Sequence, residues 1–164
     1  MLAYSPCIRT KMQYMASIDR YNERILHELV ENGRISNTEL AERVGLSASA
    51  TLRRVQELER SGVISGYRAR LDPAAVGLGF TAYIQVGLSD HTKASQQAFE
   101  SSIVGSPEVR ECHNITGAYE YLLRVEVSDL SAYKVFHTDV LGTLPQVSSI
   151  ISYVVMDSPK DLRA

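Results

Sequence analysis

The stretch GLSASATLRRVQELERSGVISGY, Gly45–Tyr67, decides how the first half of this 164-residue chain is read. It opens on small and hydroxylated residues, turns basic at Arg53 and Arg54, and then runs to Gly62 as an amphipathic helix. Gly45 breaks whatever precedes it, and Ser47 stands where a helix wants a side-chain acceptor for its free N–H groups. Leu52, Val55 and Leu58 recur at threefold spacing and are expected to carry the buried side, with Arg53, Arg54, Gln56, Glu57 and Arg60 elsewhere on the surface. Such a bare, then basic, start suits a helix that slides its first turn against another molecule. Beyond Gly62, VISGYRARLD alternates weakly and predicts a strand or extended arm.

Upstream, Tyr21, Ile25 and Leu29, with Leu26 and Val30 beside them, define one helix face that Gly33 ends. SNTE, Ser36 to Glu39, matches a capping box: Ser36 caps a second short helix and Glu39 reaches back to the backbone. Leu40, Ala41 and Val44 form the apolar stripe of that helix. Three short helices, the last two joined by a tight Gly-containing turn, make a helix-turn-helix. In that motif the third helix enters the DNA major groove with its N-terminal residues against the base edges. Ser47, Ser49, Ala50 and Thr51 are short enough to admit it, and their hydroxyls and methyls suit bases and phosphates. Arg53 and Arg54 follow one turn later, within reach of a guanine edge or the backbone. Ser36 and Asn37, opening the preceding helix, are placed for phosphate.

The pattern changes across LDPAAVGLG, residues 71–79. TAYIQVGLS alternates, with Ala82, Ile84, Val86 and Leu88 on one face, and 92–104 reads as a helix. PEVRECHNITG (107–117) is a strand ending in a turn, and EYLLRVEVS sets Tyr121, Leu123, Val125 and Val127 on one face. Residues 129–142 read as a helix with Leu130, Tyr133, Phe136, Val140 and Leu141 on one side, and VSSIISYVVM (147–156) as the last strand. The order βαββαβ is the ferredoxin-like arrangement. The last strand carries bulky apolar groups on both faces: Val147, Ile151, Tyr153 and Val155 against Ile150, Val154 and Met156. Burial of both faces is expected, and with two helices covering one side a second subunit is the simplest cover for the other.

The expected class is therefore α+β: a disordered tail over 1–16, a helix-turn-helix domain over 17–64, an extended linker strand over 65–79, a ferredoxin-like domain over 80–157, and a C-terminal tail over 158–164. The first 16 residues, MLAYSPCIRTKMQYMA, lack the apolar run of a secretory signal, and Met12 or Met15 could be a truer start. The apolar share of 45% and charged share of 22% are those of a globular protein. No run of about 18 apolar residues exists, so a membrane partner is not expected. Cys7 and Cys112 make no disulfide framework, which points to a reducing cytoplasm. The net charge of −2 is uneven: residues 17–70 carry nine Lys/Arg against eight Asp/Glu, and residues 80–164 six against ten. A nucleic-acid surface on the first half must therefore concentrate its positive charge on one face.

The stretch ISNTELAERVGLSASATLRRVQELERSGVISGYRARLDP resembles the DNA-binding half of the Lrp/AsnC, or feast/famine, regulators. VRECHNITGAYEYLLRVEVSDLSAY and VSSIISYVVM resemble their effector-binding, dimerising (RAM/ACT-like) half, so that the likeness spans about residues 18–157. The resemblance implies a prokaryotic transcription regulator that binds double-stranded DNA, homodimers often assembled into octamers, and an amino-acid effector held where dimers meet. It implies an effector site at the turn Thr116, Gly117, Ala118, Tyr119, Glu120 and at Ser149, Ile150 and Ser152 of the last strand, the latter from a neighbouring subunit. Gly117 allows close backbone approach, and turn N–H groups suit a carboxylate. The family turn commonly reads Gly-Asp-x-Asp, where this chain reads Gly-Ala-Tyr-Glu. An ammonium partner is thus absent at Ala118. The ligand has changed, or the response is lost and the chain acts as an effector-independent architectural DNA-binding protein. Alternatively, Glu120 is only a turn charge and Tyr121 only core.

Glu111, Cys112 and His113 invite an enzymatic reading. Successive strand residues point to opposite faces, so Cys112 and His113 do not make a nucleophile–base pair, and the remaining histidines are scattered. No metal set of three or four ligands is present in the sequence pattern. GLGF at 77–80 is too short for a phosphate-binding fingerprint, so neither a cofactor nor catalysis is expected.

Overall fold

The computed structural model describes residues 18–161, so the tail expected over 1–16 and the end of the C-terminal tail lie outside it. The described residues form two compact units that divide between Ala69 and Arg70, within the stretch read as a linker.

The first unit holds helices α1 (Arg20–Glu31), α2 (Asn37–Val44) and α3 (Ala48–Arg60). Each starts on a side-chain cap: Asp19 accepts from the N–H of Tyr21 and Asn22, Ser36 from Glu39, and Ser47 from Ala50. The return half of the expected capping box is replaced, because the Glu39 carboxylate pairs with Arg43 one turn on, at 2.7 Å. Gly45 takes the left-handed conformation (φ 74°) that turns α2 into α3, and its N–H and that of Leu46 bond to Ala41 O. Ile25, Leu40, Val44 and Leu58 form the buried core, with Leu26, Leu29, Ile35, Leu46, Val55 and Ile64 packed around it.

Two residues expected in that core are outside it. Leu52 is 46% and Val30 81% exposed. The α3 stripe runs through Thr51, Val55 and Leu58, at spacings of four and three, and Leu52 sits about 100° around the helix from Thr51. Val30 lies off the stripe that Ile25, Leu26 and Leu29 make. Residues 65–79, expected as a linker strand, join no sheet: the described ladders begin at Phe80. The extended arm is what remains of that expectation. Ile64 packs on the helical core and the Tyr67 hydroxyl donates to Glu59 at 2.9 Å. Further on, the chain turns at Pro73, whose carbonyl accepts from Leu78 N at 2.7 Å.

The second unit runs β1 (Phe80–Leu88), α4 (Lys93–Val104), β2 (Val109–Asn114), β3 (Tyr121–Val127), α5 (Leu130–Val135) and β4 (Val147–Val154). The strands form an antiparallel sheet in the order β2-β3-β1-β4, the ferredoxin-like topology. Ile84 stands between Leu123 on β3 and Ser152 on β4. The alternation read in β1 and β3 is the buried alternation: Ala82, Ile84, Val86, Leu88, Tyr121, Leu123, Val125 and Val127 line the face covered by Phe99 and Ile103 of α4 and by Tyr133, Phe136 and Leu141.

The second covering helix departs from the expected regular helix. After α5 it widens into a π turn over Phe136–Val140 and a 3-10 turn over Leu141–Thr143. Phe136 and Leu141 are five residues apart and both buried, at 2% and 0% exposed. In an α-helix that spacing would set them about 140° apart, and the wider turn brings them onto one side. Leu130, expected on the same side, is 63% exposed.

The opposite face of the sheet is open within one chain. It carries Tyr83 and Gln85, Leu122, Arg124 and Glu126, Glu111 and His113, and Ile151 and Tyr153 by register. Arg124 is only 17% exposed there and pairs with Glu126, with Glu111 at 3.7 Å and with Asp161 at 3.5 Å. The expectation that β4 is buried on both faces does not hold within one chain. Ile151 and Tyr153 are exposed because two helices cover only one side of the sheet, whereas Val154, on the covered side, and Met156, past the end of the strand, are exposed where the helices no longer reach.

Candidate nucleic-acid interface

The start of α3 divides its residues between holding the fold and facing outward. Ser47 Oγ accepts from Ala50 N and lies 3.3 Å from Ser49 Oγ, so the cap orders the helix start. Asn37 donates through Nδ2 to the carbonyl of Ala48 at 2.9 Å and ties the start of α2 to that of α3. Its amide is therefore a strut between the two helices before it is a phosphate contact. Thr51 is fully buried, its hydroxyl donating to Ser47 O at 3.1 Å, and is withdrawn from the expected DNA-facing set.

Arg54 is likewise turned inward. Its Nη1 donates to Asn22 Oδ1 at 2.9 Å and meets Asp19 Oδ2 at 2.9 Å, while its guanidinium lies 5.6 Å from the centre of the Tyr21 ring. It links α3 to α1, and a side chain so held is a poor base reader. The Asn22 N–H, helped by Arg54, keeps the Asp19 carboxyl below its usual range. Ser36, Ser49 and Arg53 remain exposed and Ala50 half-buried. Among the described residues no acidic side chain pairs with Arg53, so its charge is available to a partner. Gln56, expected on the surface, and Leu52, expected on the buried side, share this exposed arc. The signal was present: if Thr51 opens the buried stripe, then Ser49, Leu52, Arg53 and Gln56 form the outward one.

The turn after β2 is closed by Ile115 N donating to Glu120 O at 2.8 Å, with Gly117 at a φ of 136° that favours glycine. Thr116, Gly117 and Ala118 are exposed. Glu120 is committed to the scaffold: its carboxylate accepts from Leu88 N at 2.7 Å and meets His91 Nδ1 at 2.9 Å, with only 15% of the side chain exposed. Tyr119 lies beside Gly87, 3.5 Å from where a Cβ would stand, and Ser149 Oγ fills the space that such a Cβ would need. The turn and β4 thus converge on Gly87 within one chain. Ile150 and Ser152 are on the other face of β4, Ile150 against the core and Ser152 accepting from the Tyr133 hydroxyl. Within one chain Ser149 meets the turn and those two do not, their expected approach being from a neighbouring subunit.

On β2, Glu111 and His113 share a side, 3.3 Å apart, and Cys112 faces the helices. Burial, with Glu100 nearby, pushes the Cys112 thiol up, which disfavours the nucleophilic thiolate. Tyr121 donates to Glu100 at 2.8 Å and, mainly through burial, is pushed up to about 12. Tyr121 is core, as one of the sequence alternatives had it. Among the described residues no group of three His, Cys, Asp or Glu is set to hold a metal, and no helix is long and apolar enough to cross a membrane.

A helix-turn-helix unit followed by a ferredoxin-like unit is the build of a DNA-binding regulator. Residues 18–65 match the family described as winged helix-turn-helix DNA-binding, and residues 81–164 match the Lrp/AsnC ligand binding domain. The chain belongs to the Lrp/AsnC family of DNA-binding transcriptional regulators. It is 40% identical to the proline dehydrogenase transcriptional activator of Rhodobacter capsulatus, covering 86% of this chain and 92% of that one. It is 39% identical to the leucine-responsive regulatory protein of Klebsiella pneumoniae, covering 87% of each. A transcriptional regulator of Neisseria meningitidis, solved as its L-methionine complex, superposes with a TM-score of 0.85 at 37% identity, covering 88% of this chain and 94% of that one. These relatives are regulators of transcription, not enzymes.

Proposed function

We propose that this protein binds a specific operator as a homodimer or a higher oligomer, the octamer included, in the cytoplasm, and that an amino acid held at the turn Thr116–Glu120 between subunits modulates binding. The observation that carries this reading is the convergence of Tyr119, Gly87 and Ser149 beside the exposed Gly117 turn, in a chain similar to a regulator solved with L-methionine. Arg53 and Ser49, exposed on the first two turns of α3, supply phosphate and base contacts. The exposed Ile151 and Tyr153 support a second copy against the open sheet face. Light scattering on the purified protein that returned a monomer at micromolar concentration would remove that part.

A second reading has its own support. The Glu120 carboxylate is already engaged by Leu88 N–H and His91, and position 118 offers no acid for an ammonium group. An effector-independent, architectural DNA-binding protein follows from that. A thermal-shift screen against the twenty amino acids, run with binding to the gene's own upstream DNA, separates the two. A ligand at 100 times its dissociation constant adds about 2.7 kcal/mol to the native state. A clear shift for one amino acid, with altered operator affinity, supports the first reading. Silence from all twenty, with operator and random duplex held within a few-fold of each other, supports the second.

A further inference from the structure

We infer that Leu52 reads thymine in the operator, its isobutyl group meeting a thymine methyl in the major groove. The inference rests on the operator-specific reading above and names the base class that one exposed residue selects. Leu52 is 46% exposed on α3 although the core of this small unit is completed without it, by Ile25, Leu40, Val44 and Leu58 with Val55 and Ile64 packed on them. Exposed apolar side chains occur elsewhere in the chain, and exposure alone says little.

The position is what distinguishes this one. Leu52 stands one turn after Ala48 and Ser49, next to Arg53 and one turn before Gln56, all of them exposed. The small residues ahead of it leave nothing to hold the helix off the groove, and Arg53 beside it supplies the charge that brings phosphate near. A major groove offers polar acceptors and donors at every base pair, and only thymine adds an apolar group, the C5 methyl. A leucine pressed against a guanine or adenine edge would strip water from those polar atoms and return no hydrogen bond. Against a thymine methyl it buries apolar surface on both sides. With Thr51 buried and Arg54 turned to α1, fewer polar readers remain on this helix, and the apolar contact carries a larger share of the discrimination.

The test removes the methyl from the DNA and the isobutyl from the protein in turn. The full chain, wild type and Leu52→Ala, is titrated by fluorescence anisotropy at fixed salt against its upstream operator, the same duplex with deoxyuridine in place of thymidine, and a scrambled duplex. Wild type is expected to lose about fourfold in affinity for each half-site on the uridine duplex, the burial of roughly one methyl. Leu52→Ala is expected to bind the two operators within a factor of about two, with an unchanged melting temperature because the side chain is outside the core. Single-position uridine scanning then locates the base. If wild type prefers operator to scrambled DNA, yet Leu52→Ala keeps the wild-type thymine-to-uridine ratio, this inference fails alone. If wild type holds operator and scrambled duplex equally, the operator-specific reading fails and takes this inference with it.

Discussion

The two units bury their apolar side chains on very different scales. Five apolar residues are buried in the helix-turn-helix unit, Ile25, Leu40, Ala41, Val44 and Leu58, whereas thirteen line the core of the ferredoxin-like unit. The difference shows in what the polar residues do. In the larger unit the sheet face under the helices is largely apolar, with Ser152 bonded to the Tyr133 hydroxyl, and Arg124, Glu126 and Glu111 are left to the open face. In the smaller one, residues of the kind expected to touch DNA also hold the fold: Thr51 is buried, Arg54 bridges to Asp19 and Asn22, Asn37 ties α2 to α3, and Ser47 caps the helix. A small domain with little core makes its polar side chains structural, which narrows the set left for recognition.

This contrast makes Ile25→Ala and Leu123→Ala the sharpest pair. Both residues are fully buried, and each truncation is expected to cost about 2–5 kcal/mol. The same loss falls on unequal reserves. Amide hydrogen exchange should show Ile25→Ala stripping protection from residues 20–60, while Leu123→Ala leaves much of 80–154 protected. Equal loss of protection in both units would break the comparison.

Next in size are two neighbouring arginines. Arg53→Ala is expected to weaken operator binding by about 1–3 kcal/mol without moving the melting temperature. Arg54→Ala should do the reverse, lowering stability by about 1 kcal/mol through its half-exposed links to Asp19 and Tyr21 while the folded protein keeps most of its affinity. Anisotropy and thermal melts on both variants decide it. If Arg54→Ala weakens binding more than Arg53→Ala does, the inward assignment of Arg54 is wrong.

Ser47→Ala removes the α3 cap and is expected to cost about 0.5–2 kcal/mol, read by urea denaturation. The smallest effect is acid-dependent. Asp19 is held below its usual carboxyl value of 3.8, so its ionised form stabilises the fold above that pH and this contribution is lost as the pH falls further. Melts between pH 6 and pH 3, a window set about the ordinary Asp value, should fall less steeply for Asp19→Asn than for wild type. Parallel curves would show that the carboxylate contributes nothing measurable.

The sheet was legible in the sequence because period-two alternation in β1 and β3 is dictated by one-sided burial, and Ala82 to Leu88 and Tyr121 to Val127 carry it, interrupted by the buried Gly87 and the apolar Leu122. The three helices were legible from Ser36, Ser47 and the glycine breaks. What escaped was rotation about a helix. Leu52 outranks Thr51 on any hydrophobicity scale, so a pattern reading places the leucine inside. The structure does the opposite, because the Thr51 hydroxyl is satisfied within its own turn. Arg54 escaped for a related reason: its partners, Asp19 and Asn22, lie more than 30 residues away in sequence. The Gly117 turn was found from its likeness to a family, while its link to Gly87 depends on strand register.

The π turn at Phe136–Val140 bears on how sequences of this kind are aligned. Helices ordinarily reject single-residue insertions and deletions, since each one rotates everything beyond it. Here the wide turn already absorbs one residue between two inward anchors. A homologue one residue shorter between Phe136 and Leu141 would run a regular helix through the segment with both anchors still facing the sheet, at a spacing of four. A one-residue gap at this point of an alignment is therefore a change of helix winding with the packing kept, and it should not be counted against common ancestry.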